Sequence, residues 1–243
     1  MKIRSVLVII FVLASTATVS GQSVVITAKK VVYTRPKPIS GYKRSFTINY
    51  PKIKAATPAL SKKIESAISY ASVLGINIKE EQTNVQWLSS ADYAVGYNNN
   101  GVLSIELFME GSGAYPSGST KYVVVDLKTG LRAKPSAAFS NLEGLLSLVR
   151  QAKEEEVADA IIELKKDPEN GSEDPESLFK NADEYHKVTL NEFSVDENGV
   201  TFYHDYGFPH VIQALQPHGS FFFTWTQLKP YIKPGGLLTR IAR

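Results

Sequence analysis

The chain has 243 residues, no cysteine and a formal net charge of +3 from 27 basic and 24 acidic residues. Without cysteine there are no disulfides and no thiolate chemistry, so stability must come from burial, which a chain of this length can supply. Charge is nearly balanced, and no run of Lys and Arg is interleaved with aromatics, so nothing in the sequence marks a nucleic-acid partner.

The first segment, Met1 to Gly21, carries Lys2 and Arg4, then an apolar run from Val6 to Leu13, then Val19, Ser20 and Gly21. That three-part order is the pattern of a cleavable secretion signal. The apolar run is well short of the roughly 20 residues that span a bilayer, so cleavage after Gly21 is expected, with no stable membrane anchor afterwards. The expected location is periplasmic or secreted, and the mature chain keeps 25 basic against 24 acidic residues.

Ser45 to Pro51 alternates Phe46, Ile48 and Tyr50 with Thr47 and Asn49, the period of a half-buried strand, which the proline is expected to end. Thr57 then caps a helix with Pro58 at its first position and Leu60, Ile64, Ala67, Ile68 and Ala71 recurring on one face. Asp92 to Tyr97 and Val102 to Met109 form a hairpin around Asn98, Asn99, Asn100 and Gly101. Between Glu110 and Phe139 a turn-rich stretch with Gly111, Gly113, Pro116 and Gly118 leads into the β-branched run Val123 to Val125, then the turn Lys128-Thr129-Gly130.

Leu142 to Leu164 reads as a helix capped by Asn141, with Glu154, Glu155 and Glu156 on its wet side. Lys165 to Lys180 is rich in Asp, Glu, Pro, Gly and Ser and reads as an exposed loop; the spacing of Asp167, Glu169, Glu173 and Asp174 departs from that of a calcium loop. Val188 to Val195 and Val200 to Asp205 form a second hairpin, Phe221 to Trp225 a last strand, and Thr226 to Ile232 a closing helix. Hairpins with occasional helices, rather than strict strand-helix alternation, predict an α+β fold: an antiparallel sheet built from hairpins with helices packed on one face.

Candidate chemistry is sparse. Ser112 and Ser117 are flanked by glycines but miss the nucleophile-elbow frame. The four histidines are His186, His204, His210 and His218, and the stretch YHDYGFPHVIQALQPHG gathers three of them with Asp205. Their spacing fits no metal-binding pattern, so no metal and no cofactor is expected. Aromatic rings are the stronger candidates for recognition. Tyr115, Tyr206 and Phe208 lie in turn-rich segments, whereas Phe202, Phe222 and Trp225 are expected in the core.

Several of these residues resemble one family. Gly113 and Ala114 match its Gly-Gly-Ala-His turn, with Tyr115 in place of the histidine; Asp126, Leu127, Thr129 and Gly130 match its Asp-Leu-x-Thr-Gly; Phe139 is kept while Ala137 and Ala138 replace Asp-Leu; and Tyr206 and Gly219 fall where the family has a turn Tyr and a Gly before the final strand. The pattern, over roughly residues 44 to 238, resembles the extracytoplasmic domain of RsiV-type lysozyme-sensing anti-sigma factors, which is also the non-catalytic front part of certain peptidoglycan deacetylases. After the signal at residues 1–21, the expected organisation is an N-terminal subdomain at 22–110 and an RsiV-like subdomain at 111–243. The resemblance implies a non-catalytic module binding a lysozyme-like protein or a peptidoglycan-type envelope glycan; the turn-borne aromatics Tyr115, Tyr206 and Phe208, with Gly113, are the expected binding residues. The alternative is a metal-dependent envelope hydrolase using His204, Asp205 or His210.

Overall fold

The computed structural model describes residues 23–113, 116–166, 174–185 and 187–242; the segment Met1 to Gly21, expected to be a secretion signal, lies outside the described residues. The first half contains β1 (Val25–Thr34), β2 (Ser45–Lys54), α1 (Pro58–Ala67), α2 (Tyr70–Val73), α3 (Ile78–Thr83), β3 (Leu88–Asn99), β4 (Val102–Ser112), β5 (Pro116–Asp126) and β6 (Leu131–Arg132). The second contains α4 (Pro135–Ala138), α5 (Leu142–Lys166), α6 (Pro175–Tyr185), β7 (Phe193–Val195), β8 (Gly199–Tyr203), β9 (Ser220–Thr224) and α7 (Trp225–Leu228). Strands β1 to β6 form one sheet in sequential order, β7 to β9 a second, and the class is α+β. Among the described residues no helix is long and apolar enough to cross a membrane.

Local chemistry explains most of these elements. Thr57 accepts the Leu60 N–H at 3.1 Å and Pro58 opens α1, so the cap acts as its residue types predict. The β3–β4 turn is tighter than the four-residue loop expected: Asn100 and Gly101 take φ of 51° and 75°, as a two-residue hairpin loop requires. Gly130 also sits at positive φ, against Lys63 and Leu60 of α1, with no room for a side chain. All strand pairs are antiparallel except β2 with β3, which meet in parallel only at Thr47–Ser90 and Ile48–Ala91. Helices α1 to α3 form the crossover that a parallel pair needs.

Strands β4 and β5 are buried on both faces near the Asn-Gly turn. Leu103, Ile105, Leu107, Val123 and Val125 pack with Ile64 and Ile68 in one core cluster. Val102 and Val124 pack with Phe193, Val195, Leu145 and Val149 in another. The buried Ser104 hydroxyl accepts the Val195 N–H at 3.0 Å and ties the second sheet to the first. The division expected between residues 110 and 111 falls inside β4, whose sheet continues to Arg132.

Four segments differ from the sequence expectation. Val25–Thr34 is a strand, unmarked by alternation because an edge strand need not bury one face consistently. Pro51 does not end β2, which runs on to Lys54; β3 no longer pairs at that point, so the missing N–H is not needed. Gly111 to Gly118 is mostly strand, with Gly111 opposite Ser117 and Glu110 opposite Gly118. Pro175–Tyr185 is helical: Asp174 accepts the Glu176 N–H at 3.2 Å, and Phe179 is buried against Phe208. The rest of the acidic stretch, 167–173, lies outside the described residues. In β9, Phe221 and Phe223 point inward, so Phe222, expected in the core, is 46% exposed.

Candidate functional site

Tyr115 lies outside the described residues; Gly113, two positions before it, follows the last residue of β4, Ser112, which pairs with Pro116. The Trp87 indole occupies the space where a Gly111 side chain would stand. A Cβ on Gly113 would sit 3.7 Å from both Trp87 and the Tyr42 hydroxyl. The glycines therefore let two half-buried aromatic side chains lie flush against the hairpin. On the other side of the tip, the exposed His210 ring meets the Pro116 carbonyl, with Nε2 at 3.2 Å. This contact, across 94 residues of sequence, brings the Tyr206–Phe208 segment to the same end of the molecule as Gly113.

Tyr206 and Phe208 are 0% and 8% exposed, and both rings pack on Phe179, with centroids 5.9 and 5.3 Å away. The Tyr206 hydroxyl donates to Glu156 Oε2 at 2.8 Å, and the Gly219 N–H donates to the same carboxylate at 3.1 Å. Glu156, expected on the wet side of α5, is thus turned inward. Lys153, 7% exposed, places its ammonium 5.8 Å from the Tyr206 ring centroid. Gly219 has φ 62°, and the His204 carbonyl fills the space of its missing side chain while the His204 N–H donates to the Gly219 carbonyl at 2.8 Å. In this structure the two predicted rings anchor the segment from α5 and α6, and that segment presents His210 to the hairpin.

The histidine cluster is not assembled as a metal centre. Asp205 accepts the Gly207 N–H at 2.8 Å and closes its own turn. Among the described residues no three His, Cys, Asp or Glu side chains come together, and His186 lies outside the described residues. Ser112 and Ser117 are ladder residues of β4 and β5.

No motif marks a second feature. The Tyr122 and Tyr203 rings stack with centroids 3.5 Å apart, and the Tyr203 and Ser194 hydroxyls lie 2.8 Å apart. Burial raises the Tyr122 hydroxyl pKa above its ordinary value, and Tyr203 adds to the shift. Beside them a cavity of about 280 Å³ is lined by Lys121, Arg132, Asn191 and Glu192. A groove of about 670 Å³ shares Thr189 and Asn191 with it and continues past Pro135, Leu142, Leu146 and Leu190. Residues about 70 apart in sequence meet there through the Lys121–Glu192 ion pair, so only tertiary structure reveals it.

No protein-family model and no curated protein matches the chain. Solved structures do. A DUF3298-family protein from Bacteroides fragilis NCTC 9343 aligns at 13% identity and TM-score 0.52, over 88% of this chain and 95% of its own. A DUF3298-family protein from Pseudomonas aeruginosa PAO1 aligns at 14% identity and TM-score 0.53, with the same coverage of each chain. Identity this low carries fold rather than activity. Across nearly its whole length, the chain shares the fold of these two DUF3298 proteins, a domain of unknown function.

Proposed function

We propose that this protein is an exported, non-catalytic binding module of the cell envelope, of the RsiV-type extracytoplasmic kind. Its ligand is a lysozyme-like protein or a peptidoglycan-type glycan, taken at the β4–β5 hairpin tip. The observation carrying this reading is the contact of His210 with the Pro116 carbonyl. It brings the hairpin tip, where Gly113 lies against Tyr42 and Trp87, near the segment anchored by Tyr206 and Phe208, which supports a binding surface at that end. Amphipathic rings beside exposed backbone suit the face of a sugar or the rim of a protein partner.

Calorimetric titration of the chain from Gln22 with lysozyme and with soluble muropeptides tests this reading. One of the two should bind, without product formation. Tyr115→Ala and His210→Ala should each weaken binding by about 1 to 3 kcal/mol while shifting stability by no more than about 0.5 kcal/mol. Absence of binding by both ligands, or full affinity in both variants, rejects the reading.

A further inference from the structure

We propose that the outer edge of β1 is a docking site for an extended acidic polypeptide segment, which adds to the six-stranded sheet as a further strand. This edge lies at the opposite side of the sheet from β6 and is independent of the hairpin tip. Ten residues of β1 pair with β2 without a shift of register. The Arg35 N–H donates to the Arg44 carbonyl at 2.9 Å, which fixes the alternation: odd-numbered residues of β1 bond β2, and Ile26, Ala28, Lys30 and Val32 turn their N–H and C=O groups outward.

The outward row begins where the chain enters β1 and is open along the strand. Before β1, Val24 faces β3, where the Asn98 side chain accepts its N–H at 3.1 Å and donates to its carbonyl at 2.7 Å. At the far end of β1 the Gln82 amide donates to the Thr34 carbonyl at 3.0 Å. Among the described residues, the outward backbone groups of Ile26, Ala28, Lys30 and Val32 meet no partner. Ile26 to Val32 define a window about seven residues long, which a short added strand fills.

Charge identifies the occupant. Lys29 and Lys30 stand exposed at the centre of the window and Lys54 at its start; among the described residues none is in an ion pair, whereas Lys52 beside them is held by Glu65 at 3.0 Å. Val25 and Val32, each 59% exposed, flank the lysines with apolar surface for a neighbouring strand to cover. A second copy pairing antiparallel over the same window would set Lys29 directly against its own counterpart, a like-charge pair that opposes association. Lys29 shares one face of the sheet with Lys54, and Lys30 stands on the other, so carboxylates at alternate positions of a foreign strand line one face and meet the lysine there instead.

The probe is a capped peptide of sequence Thr-Val-Glu-Val-Glu-Val-Thr, titrated into the chain from Gln22 at low salt, with amide exchange followed by NMR. Exchange at Ile26, Ala28, Lys30 and Val32 should slow about tenfold or more, while Thr27, Lys29 and Val31, already bonded to β2, should not change. The double variant Lys29→Glu/Lys30→Glu, confirmed folded by circular dichroism, should lose affinity about tenfold or more, and so should a peptide with Lys in place of Glu. No slowing at the four amides, or equal slowing with both peptides, overturns the proposal. So does a concentration-dependent dimer in sedimentation that protects the four amides without peptide, since the edge would then belong to a second copy.

Discussion

Arg35 shows how one buried side chain closes an end of the sheet. Its guanidinium donates to the carbonyls of Glu81 at 2.9 Å, Lys43 at 2.7 Å and Leu88 at 2.7 Å, and lies 5.0 Å from the centre of the Phe46 ring. The Glu81 carboxylate, 3.5 Å away, accepts the Leu88 N–H at 2.8 Å. Only a planar fork can serve three carbonyls and a ring face together, so Lys is no substitute. Arg35→Ala should cost about 3 to 5 kcal/mol in urea unfolding, because Glu81 and the three carbonyls are left buried without their donor. Arg35→Lys should also destabilise, whereas a merely charged role would tolerate it. Tyr206→Phe keeps the ring but removes one donor to Glu156, and a loss of about 1 to 3 kcal/mol is expected in the same assay. A value near zero would mean that the Gly219 N–H alone satisfies the carboxylate. The sequence marked Tyr206 and Gly219 but not Glu156, since their partnership spans 50 and 63 residues.

At the scale of elements, period-2 alternation decides which rings carry the core. In β9, Phe221 and Phe223 are buried and Phe222 faces outward, although all three read as equally apolar in sequence. Phe202 on β8 pairs with Phe221, is fully buried and packs against Phe139 and Phe223. Phe202→Ala should therefore cost about 3 to 5 kcal/mol, while Phe222→Ala should stay within about 0.5 kcal/mol of the parent in chemical denaturation. The reverse order would place the register of β9 one residue away from that described. Helix α6 escaped detection because its composition is that of a loop; its Asp174 cap is a local signal, but the burial of Phe179 depends on Tyr206 and Phe208, which come later in the chain.

For the whole molecule, alkaline pH tests the packing of both sheets together. Burial is the first cause that raises the hydroxyl pKa of Tyr50, Tyr70 and Tyr122, with Tyr33, Asp92 and Tyr203 respectively adding to it. A tyrosine whose folded pKa lies above its unfolded value of about 10 holds its proton more tightly in the native state, so its contribution is fully present below pH 10 and is lost as pH rises beyond it. Phenolate absorbance should rise in two stages, and the late stage should coincide with loss of the far-ultraviolet circular dichroism. Tyr122→Phe should reduce the late stage by one group. Ionisation of every tyrosine near pH 10 with the fold intact would contradict the burial of these hydroxyls.

The sequence by itself determined what is local. The Thr57 cap with Pro58, the Asn100-Gly101 and Gly130 turns, the β-branched runs and the long helix from Leu142 all follow from backbone preferences acting over a few residues, and together they fixed the α+β class. Tertiary structure decided what depends on partners far along the chain. The brief parallel meeting of β2 and β3, the inward turn of Glu156 and the contact of His210 with Pro116 have no local signature. The open edge of β1 has none either. A strand is an edge only because nothing else among the described residues lies beside it, and that is a property of the whole sheet rather than of the residues Val25 to Thr34.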